Sequence, residues 1–171
     1  MSSEPHEVLA ALPLAAAGEA LARCCGSQRW VERMLRARPY ASAQALYALA
    51  DRTWRELDAS DYVEAFSHHP QIGADLGELR RKFGSTADWS LSEQAGTANA
   101  EHATLEALRD ANRDYLEKFG FIFIVCATGK SAAQMLELLR ARLPNDPATE
   151  LGIAAAEQAK ITRLRLEKLS A

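Results

Sequence analysis

The stretch "FIFIVCA", residues 121–127, decides the fold class. Its β-branched and aromatic side chains favour a strand by propensity, yet no other segment of the chain reads as a strand that would pair with it. A lone strand leaves its N–H and C=O groups without ladder partners. The segment is therefore expected to be the buried start of a helix or an extended connector. The whole chain then reads as all-α, a compact single-domain bundle of several helices.

Outward from this stretch the apolar residues recur at helical spacing. Upstream, the run that starts at "WSLSEQAG" (89–96) carries Leu105, Leu108, Tyr115 and Phe119 on one face and ends at Gly120, a fitting C-cap. Downstream, "KSAAQMLELLRARL" (130–143) and "PATELGIAAAEQAKITRLRLEKL" (147–169) are helices divided by the "PNDP" break. In the first third, Trp30, Met34 and Leu35 form one stripe and Leu46, Leu49 and Trp54 another. "LDASDYVEAF" (57–66) continues the series with Ser60 as the expected cap, and "ADLGELRRKFG" (74–84) reads as a short helix. Between those two lies "SHHPQIG" (67–73). Pro70 disfavours a helical conformation at His69, and Gly73 allows a tight turn, so His69 is expected on a loop directly after a helix. Loops placed in this way often carry function.

Composition narrows the function classes. The 171 residues, 48% hydrophobic and 25% charged, suffice for one good-sized core, with no internal repeat or interdomain linker. Twenty basic residues are interspersed with 23 acidic ones for a net charge of −3, which argues against nucleic acid as a partner. The longest apolar runs fall short of a membrane span, the acidic start "MSSEPHE" lacks the basic region of a signal peptide, and "LSA" is not a peroxisomal address. The expected location is the cytoplasm, with no membrane partner. Cys24, Cys25 and Cys126 form neither a disulfide framework nor a CxxC pair, and read as small buried residues in a reducing compartment.

Several constellations compete with bland readings. "ATGKS" (127–131) suggests a phosphate loop, but the position of its first glycine is Ile124, and the nucleotide reading fails there. His68 and His69 are adjacent, so their side chains diverge, and no ligand spacing completes a metal site. "SLSEQ" places Glu93 three residues after Ser90, a capping-box pattern that the residues alone favour. Glu93 and Gln94 at a helix N-terminus would also suit a nitrogen-rich polar ligand. Arg163 and Arg165 read as a solvated helix face paired with Glu157 or Glu167, with Leu164, Leu166 and Leu169 marking the buried side. Two positions apart, the two arginines point about 200° apart, so at most one faces a given pocket.

Taken together, "SHHPQIG", "WSLSEQAG", "NRDYLEKFGFIFIVCATGKS" and "KITRLRLEKL", in this order and spacing, resemble the 2-oxo-4-hydroxy-4-carboxy-5-ureidoimidazoline (OHCU) decarboxylase family of urate breakdown. The resemblance covers about residues 10 to 169. It implies an all-helical fold, no cofactor and no metal, and OHCU as a small-molecule substrate converted to (S)-allantoin. It also implies site residues: His69 and Glu93 as catalytic groups, with His68 a variable neighbour and Pro70 a substrate contact. The family's Ser-x-x-Glu-Gln segment falls on Ser90, Leu91, Ser92, Glu93 and Gln94. Its backbone-contact segment falls on Val125, Cys126, Ala127, Thr128 and Gly129, and its carboxy-terminal arginine on Arg165, with Arg163 as the fallback. Ser90 remains able to cap the helix while Glu93 binds ligand. Ile122 departs from the proline many members carry there and touches no catalytic position. A homodimer is compatible with these features. The competing readings are a non-catalytic helical interaction module, in which His69 and Glu93 are purely structural, and an inactive partner of the preceding hydrolase. A chain of this length has no room for that hydrolase as a fused second domain.

Overall fold

The computed structural model describes residues 3–71, 75–83 and 91–169, excluding the side chains of 82–83 and 91–100. Nine helices occur among the described residues and no strand does: α1 (Pro5–Ala11), α2 (Leu14–Cys24), α3 (Gln28–Arg36), α4 (Ala43–Arg55), α5 (Ala59–Ser67), α6 (Leu76–Phe83), α7 (Leu91–Phe119), α8 (Ala132–Arg142) and α9 (Pro147–Glu167). Residues 122–127 form neither helix nor strand, so "FIFIVCA" is the extended connector. One of its amides is met without a ladder: the Cys126 N–H donates to Glu157 Oε2 at 2.7 Å.

The chain sorts into two compact units. The first comprises residues 1–69, 124–126 and 151–171. In it α2 packs on α3, α3 on α4 and α5, and α1 on α2 and α4. Leu9, Leu21, Trp30, Met34, Leu46, Phe66 and Leu166 are fully buried there. Of the expected stripes, Leu35 and Leu49 stay half-exposed, as do Leu164 and Leu169, leaving Leu166 as the buried leucine of the terminal run. Burying an indole requires a partner for its N–H. Trp30 donates to the Ala50 carbonyl at 3.2 Å and Trp54 to the Ala155 carbonyl at 2.9 Å. The last carbonyls of α1 and its C-cap are taken up by the Arg38 guanidinium, which donates to Leu9, to Ala10 at 3.1 Å and to Leu12 at 2.8 Å.

The start of α5 corrects the expectation of Ser60 as its cap. Asp58 is the N-cap, accepting from the Ser60 and Asp61 amides at 3.0 and 3.2 Å. Asp61 reaches back to the Asp58 N–H at 3.2 Å, closing a capping box. The physical reason is reciprocity. Asp58 and Asp61 are three apart and satisfy each other's amides, whereas Ser60 sits inside the first turn and donates its hydroxyl to Asp58 at 2.5 Å. Arg29 joins both carboxylates, at 3.1 and 2.9 Å.

The second unit comprises residues 70–123 and 127–150. Here α7 packs on α6 and α8. Leu79, Leu108, Tyr115, Met135 and Leu139 supply its fully buried side chains. Gly120 ends α7 at φ +75°, a conformation that favours glycine, with its N–H on the Leu116 carbonyl at 2.9 Å. Ser131 caps α8, in a box with Gln134. Among the described residues the core of this unit contains a buried ion pair. Glu150 is fully buried and accepts from the Tyr115 hydroxyl, from Arg142 Nε at 2.7 Å and, through its other oxygen, from Asn145 at 3.0 Å. Arg142 also lies over the Phe123 ring, 4.6 Å from its centroid. Burial and the adjoining carboxylate push the Tyr115 phenol far above its ordinary range, so it stays a donor.

Removing one partner of such a pair strands the other charge in the interior. Glu150→Ala is expected to lower the unfolding free energy by about 3–5 kcal/mol in urea titration at neutral pH, and a loss under about 1 kcal/mol would show that the pair is not buried in solution.

Candidate active site

The expected catalytic histidine sits where a helix is forced to stop. Helix α5 closes with the His68 N–H on the Ala65 carbonyl at 3.3 Å and the His69 N–H on the Phe66 carbonyl at 3.1 Å, a tightening of the last turn. Pro70 follows, with no N–H to continue the ladder. Glycine 26 shapes the same turn from the other side. A Cβ there would lie 2.6 Å from His68 Cβ and Cγ, so the chain at residue 26 passes too close for any side chain. His68 is exposed and His69 is half-buried.

The His69 ring meets α9. Its Nε2 lies 2.5 Å from Gln158 Oε1. Gln158 is fully buried, and its own Nε2 donates to Thr162 Oγ1, one turn along α9, at 3.0 Å. Arg165, on the same helix, donates to the Arg23 carbonyl at 3.2 Å. Burial is the largest influence on His69 and holds its pKa below the ordinary histidine value. The Gln158 hydrogen bond opposes this shift, and the Arg165 and His68 charges add to it. The ring is thus neutral near pH 7, the form that accepts a proton.

Register along α9 separates the two arginines. Arg163 pairs with Glu167 at 2.8 Å and stacks on the Tyr47 ring at 3.7 Å, while Glu157 is taken by Lys160 at 2.5 Å. Arg163 also lines a groove of about 550 Å³ with Trp54, Tyr62, Ala155, Ala159 and Lys160. Of the expected site residues only the fallback Arg163 lines that groove, and His69 does not. His69, Val125, Cys126 and Arg165 therefore fall in the first unit, with Val125 buried. Pro70, Ala127, Thr128 and Gly129 belong to the second unit, Thr128 and Gly129 being exposed and Gly129 at φ +75°. Ser90 lies outside the described residues. Leu91, Ser92, Glu93 and Gln94 open α7, but their side chains lie outside the description. No cluster of metal ligands occurs among the described residues.

Two residues of this site escape a reading of motifs. Gln158 has a visible signal, an uncharged polar side chain within the run Ala154, Ala155, Gln158 and Thr162 that turns out buried. Gly26 has none, because the close approach comes from residue 68, far along the chain.

An all-helical fold with a half-buried, neutral imidazole at a helix end defines a class of protein able to move protons. Comparison with known proteins then narrows that class. A family profile described as OHCU decarboxylase matches residues 10–167. The chain is 42% identical over 148 residues to the uric acid degradation bifunctional protein TTL of Arabidopsis thaliana, covering 85% of this chain and 45% of that one. It is 31% identical over 135 residues to the OHCU decarboxylase of Amia calva, covering 77% and 74%. A crystal structure of OHCU decarboxylase in the presence of (S)-allantoin superposes with a TM-score of 0.68 at 36% identity, over 86% of this chain and 94% of that one. The chain belongs to the OHCU decarboxylase family. It spans less than half the length of the Arabidopsis bifunctional relative. No described helix is long and apolar enough to cross a membrane.

The charge on Arg165 gives a signed test of this geometry. Arg165→Gln should raise the His69 pKa toward about 6.5, followed by NMR of the ring protons. A fall on removing the cation would contradict the placement. Because the folded pKa is depressed, the stability His69 contributes is fully present above about pH 6.5 and is lost as pH falls through the folded value.

Proposed function

We propose that the chain, as one OHCU decarboxylase domain, converts OHCU to (S)-allantoin. The observation that carries this reading is His69, kept neutral by burial at the end of α5 and held in place there by the buried Gln158. The substrate bears a hydroxyl and a carboxylate on one ring carbon, beside a ring carbon doubly bonded to nitrogen. As carbon dioxide leaves, the pair from the broken C–C bond forms a carbon–carbon double bond, and the C=N pair moves to nitrogen, which takes a proton from solvent. An enol-like intermediate results, so the reaction itself supplies an electron sink. What remains is proton handling. The hydroxyl ends as a carbonyl, and the neighbouring carbon takes a proton on one face.

In this reading His69 takes one proton and returns another, a contribution of order 10²–10⁴ in rate. Glu93 holds ring or ureido N–H groups, and Gln94 and the backbone from Val125 to Gly129 pair with amide edges. Ser90, Leu91 and Ser92 complete that rim, and Pro70 packs on the substrate. Arg165 grips a carbonyl or carboxylate oxygen through its planar fork. The buried free thiols of Cys24 and Cys25 suit a reducing compartment and support a cytoplasmic setting.

The reading is tested by supplying freshly generated OHCU and following allantoin by circular dichroism. The expected result is accelerated loss of OHCU with a single enantiomer; racemic product at the uncatalysed rate would overturn it. His69→Asn should abolish the acceleration with the fold intact while His68→Asn stays mild, and equal losses would break the assignment of roles. Arg165→Lys, which keeps the charge and loses the fork, should cut turnover. Arg163→Lys, on the groove side of α9, should be nearly silent.

A further inference from the structure

The His69 ring has two nitrogens, and the reaction depends on which one carries the proton. Gln158 Oε1 faces Nε2 at 2.5 Å. An amide oxygen only accepts, so Nε2 must donate and therefore carries the hydrogen. The orientation of the amide matters, since the opposite end would donate to the ring instead. In the structure the amide oxygen faces the ring and the amide nitrogen faces Thr162. Gln158 Nε2 donates to Thr162 Oγ1 at 3.0 Å, and the Thr162 hydroxyl reaches in turn to the Cys25 sulfur. Cys25, Gln158 and Thr162 are all buried, so no water competes for these groups. The Cys25 thiol is pushed up to about 11 by burial, and it remains an uncharged end of the series near neutral pH. The ring N–H meets the amide oxygen, the amide N–H meets the hydroxyl oxygen, and the same hydroxyl is hydrogen-bonded to the Cys25 thiol.

We infer that Gln158, anchored by Thr162, is a positioning residue that fixes His69 as the Nε2–H tautomer and leaves Nδ1 as the nitrogen that accepts and returns the substrate proton. The inference rests on the decarboxylase reading for its consequence, though not for its geometry. Gln158 suits this role better than an acidic residue would. It accepts from the ring without adding a charge, so it opposes the burial shift without turning the ring into a permanent cation. In the balanced step, the C–CO₂ pair forms the carbon–carbon double bond as the displaced C=N pair takes a proton from solvent; Nδ1 then takes the hydroxyl proton as the carbonyl forms, and the same nitrogen delivers it to the neighbouring carbon. Nε2 keeps its own hydrogen on Gln158 throughout.

The test is ¹⁵N NMR of histidine-labelled enzyme above neutral pH, with the His69 signals identified by their loss in His69→Asn. The expected result is a protonated Nε2 and an unprotonated Nδ1. Gln158→Leu should erase that preference, lower the His69 pKa further, and reduce kcat on the order of 10²-fold with KM little changed, the size expected when a reacting group loses its alignment. Gln158→Glu accepts at the same place, and should restore the tautomer while raising the pKa. If Gln158→Leu fails to fold, Thr162→Val keeps Gln158 and removes only its anchor; a mixture of tautomers is then expected, and an unchanged ring would overturn the inference. A wild-type ring protonated at Nδ1, or a folded Gln158→Leu enzyme with its tautomer and kcat intact, would also overturn it. The tautomer is read without turnover. An Nε2–H ring in a protein that forms no allantoin would therefore sink the decarboxylase reading alone, and an Nδ1–H ring in an active enzyme would sink the positioning role alone.

Discussion

A stretch of extended backbone that meets no strand among the described residues is costly where its hydrogen bonds go unmade, and helix α9 supplies one of them here. Glu157 accepts the Cys126 amide, while the Ala155 carbonyl takes the Trp54 indole. The next residues on the same helix, Gln158 and Arg165, bear on His69 by contact and by charge. One helix therefore stabilises the connector and the core and orients the reactive ring. An unmade buried hydrogen bond costs about 1–3 kcal/mol. Errors in the register of α9 would incur several of these penalties at once.

Because the polar groups of the interior are shared in this way, stability and chemistry are hard to separate in the first unit, while the second unit keeps its own arrangement. There Glu150 collects Tyr115, Arg142 and Asn145 around a single carboxylate, and the aromatic rings of Phe119, Phe121 and Phe123 crowd around Tyr115 at 4.6–5.9 Å between centroids. The ion pair is held by direct hydrogen bonds and ring faces. This is the condition under which a charge can be kept away from water.

Much of this was legible from local pattern. The absence of any partner for residues 121–127 settled the fold class, Gly120 and Ser131 marked helix ends, and the His69–Pro70 step placed the imidazole just beyond a helix. The failures have a common physical origin. Ser60 was a reasonable cap by residue type, but Asp58 and Asp61 form a reciprocal pair, and Arg29 from another helix joins them. Gln158 was hidden because its importance depends on burial and on a partner 89 residues away. Gly26 was hidden for the same kind of reason, since its lack of a side chain matters only against His68. Short-range rules read helix ends well; side chains whose role depends on distant contacts need the fold.

The interleaving of the two units has a consequence for synthesis on the ribosome. The chain passes between them after residues 69, 123, 126 and 150. The N-terminal helices thus emerge early but wait for residues 151 onward before their unit is complete. At a translation rate of roughly 5–20 residues per second, His69 leaves the ribosome about 4–18 s before Gln158. During that interval the faces of α4 and α5 that later meet α9 are uncovered, and a nascent chain in that state is a natural client for chaperones.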